Sequence, residues 1–288
     1  HIHGQRAIVT GAAAGIGLHV CRRLLARGAT VTLWDVNRRA LQEALTELRA
    51  LPPRAGNVYG HTVDITSHDR VDELVHVAVR EMGGIDILVN NAGVMAPGSI
   101  RDQPSETWDL TVRVNLSALI DVTRSVLGVM YGQRSGQIVM LASAASLIGV
   151  GDLAVYSATK WAVLGLTEAL RHEARTRCRD VRVSSVHPLY VNVGIFAGAR
   201  VPGIGGLIFP NVRDHDVVAR AVVERAITRG RRQVHCPRSL RLVPLLRGIL
   251  PGALFDGLAR LFRIHLSMRN WTGAQESGPA PLARGTQE

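Results

Sequence analysis

The sequence predicts a doubly wound α/β fold, in which helices cover both faces of a parallel, seven-stranded sheet. Short runs rich in Val, Ile and Leu alternate with amphipathic segments of helical period between residues 6 and 236. Strands buried on both faces and separated by helices are typical of parallel sheets built from βαβ units. Right-handed crossovers place those helices on both sides of the sheet, which gives three layers, α/β/α.

The elements follow from these two periods. The predicted strands span residues 6–10, 30–34, 58–63, 85–90, 137–142, 181–187 and 232–236. The predicted helices span residues 16–27, 38–50, 67–82, 105–131, 154–177 and 214–229. The chain has 288 residues, of which 47% are hydrophobic, and this is enough apolar material for one such sheet.

Three segments lie outside the regular alternation or after it. The Gly-rich, apolar stretch 189–213 has the length of a lid or binding loop, and it completes a main domain over residues 1–237. Residues 238–272 predict an amphipathic helical extension. The polar tail 273–288 is expected to be flexible.

Composition narrows the possible partners and the compartment. The net charge is +11, but the arginines are scattered over all helices without an aromatic-rich basic strip, so we expect no nucleic acid partner. The histidines lack ligand spacing, so we expect no metal. Three widely spaced cysteines predict buried free thiols in a reducing compartment. With neither a leader pattern nor an apolar run of about 20 residues, the prediction is a cytoplasmic protein.

The first strand runs into a glycine-rich loop, Thr10-Gly11-Ala12-Ala13-Ala14-Gly15-Ile16-Gly17, which is followed by a helix. Glycines permit a tight turn there, and the helix N-terminus presents N–H groups that can bind a phosphate. The spacing Gly-x3-Gly-x-Gly alone is also compatible with an ordinary β–α turn.

Asp35 strengthens the nucleotide interpretation, because it ends the second strand about twenty residues beyond the glycines. A carboxylate at that place accepts the ribose hydroxyls of NAD and repels the 2′-phosphate of NADP. Arg38 and Arg39 are close enough to favour NADP, but they fall in the next helix, so NAD is preferred and NADP is less favoured. Asp35 could also cap the helix that opens at Asn37.

A second group of residues can carry acid–base chemistry. Tyr156 and Lys160 are four positions apart on a predicted helix and therefore share a face. Lys160 is the single lysine among 34 basic residues. Its ammonium is expected to lower the pKa of the phenol, which makes Tyr156 a general acid/base. Ser143 ends a strand facing the ligand crevice, and Asn115 lies inside the predicted helix 105–131, where an amide packs poorly.

Each of these residues also has a purely structural interpretation: a tyrosine on a helix face, a serine cap, a solvated asparagine. Together they form a pattern. Over residues 5–236 the chain resembles the short-chain dehydrogenases, through Thr10 to Gly17, Asp64, Asn90-Asn91-Ala92-Gly93, Asn115, Ser143 and Tyr156-x3-Lys160. The resemblance implies a Rossmann fold and an NAD-dependent oxidoreductase.

The resemblance also implies roles for single residues. Asn115, Ser143, Tyr156 and Lys160 would be catalytic, with Asn115 holding a water in a proton relay and Lys160 holding the nicotinamide ribose. The cofactor would be bound by Gly11, Ala14, Gly15, Ile16, Gly17, Asp35, Val36, Asp64, Ile65, Asn91, Ala92, Gly93, Tyr156, Lys160, Pro188 and Val191. A homodimer or homotetramer would form through the helices 105–131 and 154–177.

One position departs from the family pattern. Where the family usually has Pro-Gly-x-Val-x-Thr, this chain has Pro188-Leu189-Tyr190-Val191-Asn192-Val193. Val191 still offers backbone groups to the carboxamide, but Val193 cannot replace the threonine hydroxyl. The nicotinamide should be oriented less firmly and turnover should be slower, while the cofactor still binds. This departure alone favours the alternative of a non-catalytic NAD-binding sensor or scaffold.

Three features resemble the retinol and 17β-hydroxysteroid dehydrogenase branch of this family. They are the segment Leu33-Trp34-Asp35-Val36-Asn37, the Val191-Asn192 pair and the basic, apolar C-terminus. This implies a lipophilic alcohol, ketone or aldehyde as substrate, with 189–213 as an apolar lid. Residues 238–266 predict two short amphipathic helices divided at Pro251. They could form a peripheral membrane contact, or they could pack on the lid or on a partner subunit.

Overall fold

The computed structural model describes residues 1–52 and 56–272 and shows a seven-stranded sheet with the order β3-β2-β1-β4-β5-β6-β7. The strands are β1 (Arg6–Thr10), β2 (Thr30–Asp35), β3 (Val58–Thr62), β4 (Ile87–Asn90), β5 (Gly136–Leu141), β6 (Val181–Pro188) and β7 (Gln233–Cys236). All neighbours pair in parallel. The prediction of a doubly wound fold is confirmed. Since the strand order reverses between β1 and β4, a ligand crevice lies at their carboxyl ends.

Helices cover both faces of this sheet. They are α1 (Gly15–Leu25), α2 (Arg38–Arg49), α3 (His68–Met82), α4 (Ser105–Val112), α5 (Leu119–Gln133), α6 (Ala154–Arg177), α7 (Ile204–Ile208), α8 (His215–Arg220), α9 (Leu242–Ile249) and α10 (Gly252–Leu261). Strand β1 shows how the layers form: Ala7 and Val9 pack in the cluster under α1, α2 and α8, whereas Ile8 packs under α3, α5 and α6. Alternate side chains enter opposite cores, so the middle of β1, from Ala7 to Val9, is apolar at every position.

Two predicted helices are not continuous α-helices. The predicted helix 105–131 consists of α4, a π-helical segment Arg113–Ala118 and α5. The predicted helix 214–229 consists of α8 and a second π-helical segment, Ala221–Thr228. The prediction of helices over these two ranges is confirmed, but each contains a π segment that the sequence does not indicate, because such a segment adds residues to a turn without interrupting the apolar face.

The C-terminal extension packs on the apolar loop. Its two helices α9 and α10 are divided at Pro251, as the sequence indicates. Leu240, Val243 and Phe255 of the extension are buried in one cluster with Leu189 of the loop. Within residues 1–52 and 56–272, no helix combines the length and the apolar character needed to cross a bilayer. The tail 273–288, predicted to be flexible, lies outside the described residues.

The cysteines follow the prediction in part. All three are free thiols, and Cys21 and Cys236 are buried. Cys178 is only partly buried, since it lies at the end of α6. The prediction of a buried thiol is therefore wrong at this position.

Candidate active site

The glycine-rich loop between β1 and α1 is held against the end of β4. The Thr10 hydroxyl accepts hydrogen bonds from the backbone N–H groups of Asn91 and Ala92, each 3.1 Å long. The Asn91 side chain donates back to the Gly11 carbonyl at 2.8 Å. A Cβ on Gly11 would lie 2.8 Å from the Cα of Ala92, and one on Gly17 would lie 2.3 Å from the Gly11 carbonyl oxygen. Only glycine fits at these two positions.

This packing leaves a cradle of N–H groups at the start of α1. The helix begins at Gly15, and the N–H groups of its first turn have no acceptor within the helix. The preceding residue, Ala14, has no side-chain oxygen that could cap them. A helix N-terminus of this kind binds phosphate, so the loop fits the pyrophosphate of a dinucleotide.

Asp35 lies half-buried at the end of β2, beside this cradle. Its carboxylate accepts hydrogen bonds from the N–H groups of Ala13 and Asn37, both at 2.9 Å. Asn37, not Asp35, caps α2, because its side chain accepts from the N–H of Ala40 at 3.0 Å. The alternative interpretation of Asp35 as the N-cap is therefore wrong. A carboxylate oxygen has a second lone pair, which leaves room for a ribose hydroxyl.

Three further predicted cofactor residues lie at the ends of β2 and β3. Val36 is largely exposed next to Asp35. Asp64 accepts hydrogen bonds from the backbone and hydroxyl of Thr66 at 2.9 and 2.8 Å, which fixes the loop after β3. Ile65 is buried in the core. Their position suits the adenine end of a dinucleotide.

Tyr156 and Lys160 lie in the first two turns of α6, and both are buried. The Lys160 ammonium donates to the Leu141 carbonyl at 2.9 Å and lies 5.6 Å from the centroid of the Tyr156 ring. A Cβ on Gly93 would lie 3.6 Å from the Lys160 nitrogen, so the loop after β4 closes over the ammonium. Tyr156, Lys160 and Ser143 line one cavity. The structure thus brings three of the four predicted catalytic side chains together in one cavity.

The predicted effect of Lys160 on Tyr156 is wrong for the structure described. Burial raises the pKa of Tyr156 above its usual value, and a hydrogen bond with Ser143 only partly opposes this. Burial also lowers the pKa of Lys160 to about 8. Desolvation is the largest cause of both pKa shifts, since both groups lie in the protein interior. The phenol is therefore protonated at neutral pH and can act as a proton donor.

Asn115 is fully buried in the π-helical segment that follows α4. Its side-chain oxygen accepts from the Val94 N–H at 2.8 Å, and its amide donates to the Val94 carbonyl at 2.9 Å. A Cβ on Gly93 would lie 3.3 Å from the same oxygen. Asn115 thus fixes the loop above Lys160, and its role in a water relay stays a prediction.

A buried network below Ser143 was missed by sequence reasoning. The Ser146 hydroxyl donates to the Ser143 carbonyl and lies 2.8 Å from Nδ1 of His187. Nε2 of His187 lies 2.8 Å from the hydroxyl of Ser185. Burial lowers the pKa of His187 to about 3, so the ring is neutral; Nδ1 carries the proton that Ser146 accepts. The sequence does contain a signal for this network, since the polar run Ser-Ser-Val-His lies in a strand that is buried on both faces.

Pro188 and Val191, the last predicted cofactor residues, line the same cavity at the end of β6. Val193 also lines it and is 43% exposed. Its isopropyl group occupies the position at which the family pattern has a hydroxyl.

Beyond Tyr156 the cavity is walled by apolar side chains. The space amounts to about 1080 Å³, its open mouth included. The wall combines residues of the loop after β5, of the 189–213 loop and of the C-terminal extension: Ala145, Ile148, Val150, Leu153, Phe196, Val201, Phe209, Leu240, Val243 and Ile264.

The extension fastens the apolar loop through polar contacts. The Tyr190 and Ser267 hydroxyls, both buried, lie 2.8 Å apart. The indole N–H of Trp271 donates to the Ile195 carbonyl at 2.8 Å. The loop 189–213 is therefore held by residues more than 70 positions further along the chain.

A parallel α/β sheet with a glycine cradle at its switch point, next to a buried tyrosine–lysine pair, defines a class of dinucleotide-binding oxidoreductases. Comparison with known proteins gives the family. Residues 5–201 match the short chain dehydrogenase family, and the chain belongs to it.

Individual relatives support this assignment. Retinol dehydrogenase 10-B of Danio rerio is 29% identical over 280 residues, covering 91% of this chain and 82% of that protein. A short chain dehydrogenase/reductase of Burkholderia phymatum, solved in complex with NAD, has a TM-score of 0.76 at 26% identity, covering 86% of this chain and 94% of that one. A metagenomic short-chain oxidoreductase solved with NADP has a TM-score of 0.64 at 30% identity, covering 77% and 90%. The resemblance to the retinol dehydrogenase branch is confirmed.

Replacing the buried Lys160 by an apolar residue should have opposite effects on stability and on activity. The unfolded chain binds more protons than the folded one between pH 8 and 10.5, because burial lowers the pKa of Lys160 from 10.5 to about 8. Stability therefore rises with pH in this window, and the full cost of the buried charge is present below pH 8. We expect Lys160→Met to raise the free energy of unfolding at pH 7 by about 1–3 kcal/mol and to lower kcat by about 100-fold or more.

Urea denaturation at pH 7 and pH 10 measures the first effect, and the gain should shrink at pH 10. Lys160→Arg is the matched control, since it keeps a charge and should bring no gain in stability. A Lys160→Met protein less stable than the wild type at pH 7 would contradict the assignment of a costly buried ammonium.

Proposed function

We propose that the protein transfers hydride between NAD and a lipophilic secondary alcohol or ketone, or an aldehyde, of steroid-, retinoid- or long-chain-like character. The observation that carries this proposal is the apolar cavity that opens directly onto Tyr156 and Ser143. An apolar molecule that enters this cavity would lie next to a proton donor.

The side chains divide the chemistry between them. The nicotinamide, when bound, supplies or accepts the hydride. In reduction the Tyr156 hydroxyl donates its proton to the carbonyl oxygen of the substrate, and in oxidation the phenolate takes the proton of the alcohol. Ser143 hydrogen-bonds the same oxygen and holds it near the phenol. Lys160 places a compact positive charge beneath both, where it stabilises the phenolate as it forms.

The wall of the cavity favours a lipophilic substrate. Phe196 packs edge-on against Tyr156, with ring centroids 5.8 Å apart. Tyr190 also contacts Phe196, and its buried hydroxyl is already paired with that of Ser267. A polyol would lose its hydration in this cavity and find few partners, which costs about 1–3 kcal/mol per unsatisfied hydroxyl.

Asp35 supports NAD rather than NADP. Its carboxylate lies where the ribose hydroxyls are expected, and a 2′-phosphate would meet a negative charge. The nearby Arg39 is 90% exposed and pairs with Glu43 on the outside of α2, away from this position.

A non-catalytic NAD-binding sensor is the second candidate, and Val193 is the observation that favours it. The two candidates differ in their need for the phenol. Tyr156→Phe removes one oxygen atom from a side chain that packs through its ring, so the cofactor should still bind.

We expect Tyr156→Phe to lower kcat by about 100-fold or more and to change the Kd for NADH less than about threefold. Activity is measured with a panel of steroids, retinoids, long-chain alcohols and small polyols. Polyols should be the poorest substrates, and a panel in which they are the best would refute the lipophilic assignment. Wild-type protein that binds NADH and turns over no member of the panel would favour the sensor.

The cofactor preference is tested at Asp35. We expect wild-type kcat/KM for NAD to exceed that for NADP by at least about tenfold, the effect of about 1.4 kcal/mol of charge repulsion. Asp35→Asn keeps an acceptor for the Ala13 N–H but removes the charge, so this ratio should fall. Glu43→Gln on the outside of α2 is the control and should leave it unchanged. A wild-type preference for NADP would contradict the assignment.

We further propose a peripheral contact of the extension with an anionic lipid surface. The outer faces of α9 and α10 expose Leu245, Ile249, Leu254 and Leu261, each at least 55%. Arginines accompany them at 238, 241, 260, 263 and 269, against one acidic residue, Asp256, in residues 238–272. Apolar side chains flanked by cations suit the boundary between headgroups and acyl chains. The inner face of the extension packs on the lid, so the two interpretations of 238–266 apply to opposite faces.

We expect the wild-type protein to float with vesicles that contain phosphatidylserine and to be released by about 0.5 M salt, at which charges are screened over a few ångströms. Leu254→Asp combined with Leu261→Asp should abolish flotation. Ile100→Asp, which is also exposed but lies outside the extension, is the control. Flotation that is unchanged in the Leu254/Leu261 variant would overturn the proposed contact.

A further inference from the structure

His215, the first residue of α8, lies against the glycine-rich loop. A Cβ on Gly15 would lie 3.6 Å from Cε1 and 3.7 Å from Nε2 of His215. On the other side, a Cβ on Gly194 would lie 2.9 Å from Nε2, and Gly194 has a φ of +74°. The imidazole thus fits between two positions without side chains, one in the N–H cradle of α1 and one next to Val193.

The position of His215 is fixed by contacts on its own helix. The Asp214 side chain accepts from the Val217 N–H at 3.1 Å and begins α8. Asp216 pairs with Arg23 of α1 through two hydrogen bonds of 2.7 and 2.5 Å. Because this pair ties α8 to α1, the imidazole is held at a set distance from the start of α1. His215 also lines the cavity that contains Tyr156.

The same region lacks a polar group that the family pattern supplies. Val193 follows β6 at the position of the threonine hydroxyl, and its side chain lines the cavity beside His215. The His215 ring is hydrogen-bonded to the Val193 backbone, so it brings a polar group to a place where the Val193 side chain brings none. Sequence reasoning missed His215, since it is separated from Val193 by 22 positions and from Gly15 by 200.

We propose that His215 binds the pyrophosphate of the dinucleotide, opposite the N–H groups of α1, and so adds a polar contact to the cofactor beside Val193, which offers none. This rests on the proposed nicotinamide cofactor. It assigns a binding role to a residue outside the glycine-rich loop and outside the Tyr156–Lys160 pair.

The surroundings of the ring set how it would respond to an anion. Burial and the neighbouring His19 lower the pKa of His215, whereas Asp214 and the Val193 backbone raise it. The charged and titratable groups around it are His19 and Arg23 of α1 and Asp214 and Asp216 of its own segment. The free protein therefore holds a neutral ring at pH 7. A pyrophosphate beside it favours the imidazolium, so binding should take up a proton.

The experiment measures the Kd of NADH by fluorescence and proton uptake by calorimetry in two buffers of different ionisation enthalpy. We expect His215→Leu to raise the Kd about tenfold, the size of one hydrogen bond to a charged group, and to abolish the uptake at pH 7. The KM for NAD should rise in parallel while kcat changes less. Adenosine, which has no phosphate, should bind wild type and variant alike.

Two further variants separate a binding role from a structural one. Val193→Thr added to His215→Leu should leave the proton uptake abolished and recover only part of the affinity, because a hydroxyl at 193 adds a contact to the cofactor but cannot take up a proton. His19→Leu, which alters the neighbouring ring, should change the Kd less than twofold and keep most of the proton uptake. Wild-type binding of NADH together with an unchanged Kd in His215→Leu would overturn this inference alone. Failure of the wild-type protein to bind NADH or NADPH would overturn the proposed function as well.

Discussion

The site depends on one costly arrangement, the burial of the Lys160 ammonium with the Leu141 carbonyl as its direct hydrogen-bond acceptor. A buried charge is tolerated only where polar groups surround it. The surrounding structure meets this requirement with backbone: Gly93 approaches the ammonium without a side chain, and Asn115 fixes the adjoining Val94 by two hydrogen bonds. The Lys160 side chain therefore constrains four elements: the ends of β4 and β5, the π-helical segment and α6.

Backbone contacts also hold the predicted cofactor site in place. The loop after β1 is tied to the end of β4 through Thr10 and Asn91, while the loop over Lys160 begins only two residues later, at Gly93. A shift of the β4 end would disturb the phosphate cradle and the cover of the ammonium together. The predicted cofactor-binding and catalytic residues are thus positioned by a shared segment, residues 90–94.

The sequence predicts the regular elements well because each depends on local periodicity. The bounds of α6 agree to the residue, and those of every strand agree within two residues. What the sequence misses depends on contacts between distant residues. Burial reverses the predicted pKa shift of Tyr156, and the π-helical turn at Asn115 leaves the apolar period unchanged. The networks of His187 and His215 join residues separated by up to 200 positions, which no local pattern reports.

The cavity wall also limits how selective the protein can be. Away from Ser143 and Tyr156 the wall is apolar and the Tyr190 hydroxyl is paired with Ser267, so under the proposed function a substrate is recognised mainly by shape and apolar contact. An apolar pocket discriminates by only about 1–3 kcal/mol per methylene group, whereas a pocket that hydrogen-bonds its substrate discriminates far more strongly. Selection among the proposed lipophilic substrates would then depend on the parts that set the shape of the space, the 189–213 loop and the extension that fastens it. Since these contacts lie far from Tyr156 and Lys160 along the chain, substrate range can change while the reaction centre stays the same.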